Sequence, residues 1–206
     1  MIREIYSEYF SERINDIITP EIINIKSGAE NGGIYQEPEW KNKVSEKYLY
    51  ELKEKNLVYN ACQESNLYDF PASMSHRILE VLKEIYPDKA LYCGGHFYYP
   101  PTGYMGWHTN YAVTDDRVYV TYSSESNKSF FRYLENGKVV TDYDDEGLTF
   151  RRFSLSNKEP YFWHCVGSEC DRFSFGFRLL DINDRDRYSE PMPLNHSIAL
   201  IMQQFM

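Results

Sequence analysis

The second half of this chain is a series of short segments that alternate apolar and polar residues and break at turn residues. After Asp88 come "ALYCGGHFYYP", "RVYVTYSS", "KSFFRYLENGKVV", "GLTFRRFSL", "PYFWHCV" and "DRFSFGFRLL". Alternation with a period of two in runs this short builds strands, and no helical period intervenes. The Asn136-Gly137 pair inside "ENGK" is the strongest short-range hairpin signal. Many short strands without helices between them pack as an antiparallel sandwich or barrel. The 19 Tyr and 12 Phe suit a β-rich protein with a lined cavity.

Before Asp88 the period is helical. "EPEWKNKVSEKYLYELKEKN" (Glu37 to Asn56) repeats Trp40, Val44, Tyr48 and Leu52 at four-residue intervals, the stripe of an amphipathic helix. "SMSHRILEVLKEIYP" (Ser73 to Pro87) sets Ile78, Val81, Leu82 and Ile85 on one face, with a serine to cap its start and a proline to end it. With 206 residues, one α+β domain is expected: mainly helical support over 1–88, a β core over 89–182 and a tail over 183–206. The apolar tail "LNHSIALIMQQFM" reads as an element that packs on the domain or joins two copies as a homodimer.

Charge narrows the partners. With 22 basic and 31 acidic residues the net charge is −9, and no Lys/Arg run concentrates the positive part, so nucleic acid is not an expected partner. The four cysteines lack CxxC spacing and read as reduced thiols. The charged N-terminus has no signal-like apolar core, and no apolar run reaches bilayer length, so a cytoplasmic protein without membrane contact is expected. The acidic stretches "AVTDD" and "DYDDEG" read as solvated turns, or as a cavity rim favouring a cationic partner.

Three pieces carry candidate chemistry. In "GYMGWHTNYAV", strand alternation would turn His108 and Asn110 to one side. His164 sits in the apolar run "YFWHCV", where an imidazole needs a hydrogen bond or a metal. In "DRFSFGFRLL", Phe173, Phe175 and Phe177 share one face, while Arg172, Ser174, Gly176 and Arg178 share the other. A planar guanidinium on such a face suits a carboxylate.

Taken in order, His108-x-Asn110, His164 and Arg172-x-Ser174 resemble the His-x-Asp/Glu…His…Arg-x-Ser signature of the iron(II)- and 2-oxoglutarate-dependent dioxygenases. The resemblance spans roughly Leu91 to Leu180. It implies a double-stranded β-helix (a cupin-like jelly roll) with N-terminal supporting helices. The implied activity is hydroxylation of a small molecule or protein side chain, with Fe(II) and 2-oxoglutarate as cofactors. His108, Asn110 and His164 would hold the metal, and Arg172 with Ser174 would take the far carboxylate of 2-oxoglutarate. Tyr99, with Tyr98 as the alternative, resembles the family's cosubstrate tyrosine, and Arg172 with Arg178 resembles the two-arginine strand of the DNA-alkylation-repair branch. Asn110 departs from the pattern, because the family carries a carboxylate there. Either its amide oxygen ligates, or Asp115 or Asp116 reaches in, or the fold persists as a metal-poor binding or structural protein.

Overall fold

The computed structural model describes residues 1–31 and 38–183. A short strand β1 (Ile2–Glu4) leads into helix α1 (Glu8–Ile18), a 3-10 turn (Thr19–Glu21) and helix α2 (Ile22–Asn31). Helices α3 (Trp40–Lys43) and α4 (Glu46–Glu54) follow, then β2 (Ser65–Asn66), β3 (Tyr68–Asp69) and helix α5 (Ser73–Ile85). From there the chain is all strand. It runs through β4 (Lys89–Tyr99), β5 (Tyr104–His108), β6 (Asp116–Ser123), β7 (Ser129–Glu135) and β8 (Lys138–Tyr143). Three more complete it: β9 (Gly147–Ser154), β10 (His164–Ser168) and β11 (Arg172–Asp181).

The strands form two sheets, ordered β1-β9-β6-β11-β4-β3 and β2-β5-β10-β7-β8, and the pairings are antiparallel. From β4 onward the chain crosses repeatedly between the sheets, so that β4, β6, β9 and β11 stand in one and β5, β7, β8 and β10 in the other. That order is a double-stranded β-helix. The expected hairpin joins β7 and β8, with Asn136 at φ 50° and Gly137 at φ 75°, the left-handed pair that such a tight turn requires.

Alternation decides what each sheet face buries. Phe173, Phe175 and Phe177 leave the barrel outward and meet Ile14, Ile18, Ile78 and Leu82 of α1 and α5. All three rings are fully buried, and each contributes about 1.5–3 kcal/mol of hydrophobic stabilisation. The opposite face of β11 points into the barrel, so this strand is buried on both sides. On the far side, Trp107, Trp163 and Cys165 pack beneath Trp40, Val44, Leu49 and Leu52 of the α3–α4 segment. Between the sheets lies a third cluster that includes Tyr99, Phe131, Tyr133, Phe153 and Val166.

Two local expectations differ from the structure. The stripe from Trp40 to Leu52 is buried as expected but is carried by two helices, because Ser45 interrupts it. Its hydroxyl donates to the Asn42 carbonyl (2.8 Å) and accepts from the Tyr48 amide (3.1 Å), ending one turn while capping the next. Helix α5 begins at Ser73 itself, with Ala72 at the N-cap and no side-chain cap. The tail proposed as a dimer element lies outside the described residues apart from Asn183. Among the described residues, no helix is long and apolar enough to cross a membrane.

A candidate metal centre at the mouth of the barrel

Strands β5 and β10 lie side by side and set His108 directly opposite His164. Their ring centroids are 4.1 Å apart. Each ring is held from behind in the same way. The Nδ1 of His108 lies 2.9 Å from the carbonyl of Gly106, and the Nδ1 of His164 lies 2.9 Å from that of Phe162. A carbonyl oxygen only accepts, so both Nδ1 atoms carry the proton and both Nε2 atoms keep a bare lone pair. Burial pulls the His108 pKa down to about 4, against the opposing Gly106 hydrogen bond. Burial, with the neighbouring His108 and Arg117, holds His164 well below the ordinary histidine range. Both rings are therefore uncharged at neutral pH, as metal-ligating imidazoles must be.

Asn110 reaches this pair by a route that strand alternation does not describe. Strand β5 ends at His108, and Asn110 lies beyond it with φ 54°, a left-handed conformation that asparagine tolerates. Segment 59–64 fixes the bend. The amides of Thr109 and Asn110 donate to the carbonyls of Tyr59 (2.8 Å) and Asn60 (2.7 Å), and the amide of Ala112 donates to Asn60 Oδ1 (2.7 Å). Asn110 Nδ2 then donates to His164 Nε2 at 3.3 Å. Half a turn of the amide would present Oδ1 at the same point. Two bare imidazole nitrogens and one amide oxygen form a donor set that suits a divalent metal ion. Among the described residues no group of three or more His, Cys, Asp or Glu is arranged for one, so an amide must supply the third donor if this site is filled.

The sequence alternatives for that third donor are otherwise engaged. Asp115 accepts from Arg117 Nε (2.7 Å) and Arg178 Nε (2.6 Å). Asp116 accepts from Arg152 (2.9 Å) and Ser154 (2.5 Å). Arg178 thus spends its Nε on Asp115 rather than facing an open cavity.

Below the histidines a cavity of about 40 Å³ is lined by Tyr99, Met105, Tyr119, Ser174 and Gly176, among others. It has room for a few water-sized groups. A side chain at Gly176 would meet the Tyr119 ring at 3.0 Å, so glycine there lets that tyrosine stand inside the barrel. Deeper still, Arg172 is fully buried under Tyr99, its guanidinium 5.0 Å from the ring centroid. Its Nε donates to Asp144 (2.9 Å) and its Nη2 to Thr121 (3.2 Å), whereas Nη1 has no hydrogen-bond partner among the described residues. That buried orphan donor fits one oxygen of an acidic ligand. At about 40 Å³ this space is smaller than the body of a five-carbon keto diacid.

Asp144 is the residue that sequence reading missed. The "DYDDEG" stretch is solvated only in part: Asp145 and Glu146 are exposed, whereas Asp144 turns inward. Asp144 is fully buried, and its oxygens bind Arg172, Arg151 (2.5 Å) and Ser129 (2.5 Å), while Asp142 takes Arg151 Nε (2.6 Å). Burial alone would raise the Asp144 pKa, but Arg172, Arg151 and the hydrogen bonds outweigh it and bring it to about 2. The aromatic residues near the site separate by face. Tyr99 and Tyr119 line the cavity, whereas Trp107 and Trp163 pack outside the barrel. His96 lies on β4 against Phe70, away from the site.

No family model and no curated protein sequence matches the chain. Solved structures similar to it include a Trichoplax adhaerens prolyl hydroxylase in complex with a hypoxia-inducible factor peptide, at TM-score 0.46 and 9% identity over 86% of this chain and 82% of that one. A 2OG-Fe(II) oxygenase family oxidoreductase from Burkholderia pseudomallei is similar at TM-score 0.38 and 13% identity, over 59% and 62% of the two chains. A Pseudomonas putida prolyl-4-hydroxylase is similar at 0.37 and 13%, over 64% and 82%. The double-stranded β-helix is assigned here on strand order.

Proposed function

We propose that the chain is an iron(II)- and 2-oxoglutarate-dependent dioxygenase, a hydroxylase of a small molecule or protein side chain. The observation that carries this reading is the alignment of two features along one barrel. Two backbone-locked imidazoles and Asn110 converge at the mouth, and a buried arginine nitrogen without a partner waits further in. Iron and a 2-oxo acid, when bound, supply the oxidative chemistry. His108 and His164 give the metal their Nε2 lone pairs, and Asn110 gives it an amide oxygen. Arg172 Nη1 donates to the far carboxylate of the cosubstrate, with the Ser174 hydroxyl and Tyr99 on the wall between. Phe131, Phe153 and Phe162 pack around His164 with centroids 5.4–5.8 Å away and keep water from that side of the metal.

Replacing Arg172 by Ala separates the two halves of this assignment. Calorimetric titration should show 2-oxoglutarate affinity falling at least tenfold, the usual loss for a charge-assisted hydrogen bond, with metal affinity kept within a few-fold. Unchanged 2-oxoglutarate affinity would contradict the role of Arg172. The neutral amide of Asn110 favours one second reading, a metal-poor jelly roll that binds an acidic ligand without catalysis. In that case 2-oxoglutarate or a similar acid binds equally well with and without metal.

A further inference from the structure

Among the described residues, the mouth of the barrel is short of negative charge. The third donor position is held by the amide of Asn110, which carries no charge. The carboxylates nearest in the chain cannot make up the difference, because both oxygens of Asp115 and both of Asp116 already accept hydrogen bonds. Asp115 moreover answers two guanidiniums, one of them that of Arg117 on β6. Arg117 also lies close to the open backbone of β4, with Nη1 3.3 Å from where a side chain on Gly94 would begin. Among the described residues, a divalent cation entering here would meet no charged donor. An uncompensated charge in such surroundings is costly. The adjoining space of about 40 Å³ is of a size for a carboxylate group.

We propose that this site takes a divalent metal only together with a carboxylate-bearing small acid, whose charge replaces the one Asn110 withholds. The inference rests on the metal-centre reading above and adds to it that metal and acid bind as a coupled pair. Because binding free energies are linked, the acid must tighten the metal by the same factor as the metal tightens the acid.

The test uses the full metal-free chain and Mn(II), followed by the electron paramagnetic resonance of the free ion. Titrations are run without added acid, with saturating 2-oxoglutarate, and with concentrated acetate as a generic carboxylate. At least one of the two acids should raise Mn(II) affinity tenfold or more. In Asn110→Asp, checked for folding by thermal melting, Mn(II) should bind at least tenfold tighter without acid, and the enhancement by acid should shrink to a few-fold. Asp tolerates the left-handed backbone at this position nearly as well as Asn. Tight Mn(II) binding by the unaltered chain that neither acid changes would overturn the coupling and leave the metal centre standing. Absence of Mn(II) binding under every condition, in both chains, would overturn the metal centre and the coupling with it.

Discussion

At the scale of single residues, the site depends on how buried charges are matched. Arg172 and Arg151 lie inside the barrel because Asp144 and Asp142 answer them. Changing Asp144 to Asn removes one of those charges and leaves two guanidiniums short of a partner. Chemical denaturation should register a loss of about 3–5 kcal/mol, the range seen when one member of a buried pair is deleted. The same carboxylate has a pH signature. Its folded pKa of about 2 lies below the ordinary aspartate value, so its contribution is complete above about pH 4 and is lost as pH falls through about 2. That contribution is about 2 kcal/mol, and the slope of stability against pH in this window should flatten in Asp144→Asn. An equally steep slope in the variant would show that other carboxylates dominate the acid limb.

At the scale of elements, the strands were legible because each has one face with a consistent chemical character. The Phe173, Phe175 and Phe177 alternation in β11 is the clearest case, and the three rings share one buried face as the pattern implied. The break between α3 and α4 was not legible, because the apolar stripe runs through it unchanged. Only the second role of Ser45 as a cap marks it. Ser45→Ala should therefore cost about 1 kcal/mol in thermal or urea melts. A silent substitution would mean that Trp40 and Leu49, rather than the cap, hold the segment. The position of Asn110 was likewise reached for an incomplete reason. Spacing suggested strand alternation, whereas the structure uses a left-handed residue pinned by Tyr59 and Asn60, which are far away in sequence. Asp144 was illegible because an acidic turn looks the same whether its carboxylates face water or a distant arginine.

At the scale of the whole molecule, the fold is a barrel clamped between two helical layers, α1 and α5 outside one sheet and α3 with α4 outside the other. Between the sheets the aromatic cluster of Tyr99, Phe131, Tyr133 and Phe153 fills most of the interior and leaves a cavity of about 40 Å³ beside the two histidines, with Arg172 buried under Tyr99. The central claim is that the histidines and Arg172 serve one metal–cosubstrate unit. Anaerobic titration of the metal-free protein with iron(II) and 2-oxoglutarate tests this most directly, through the visible charge-transfer band of the iron–keto-acid chelate. A band should grow to one equivalent and be lost in His108→Ala. Saturation by both components without a band, or a band indifferent to His108, would contradict the central claim.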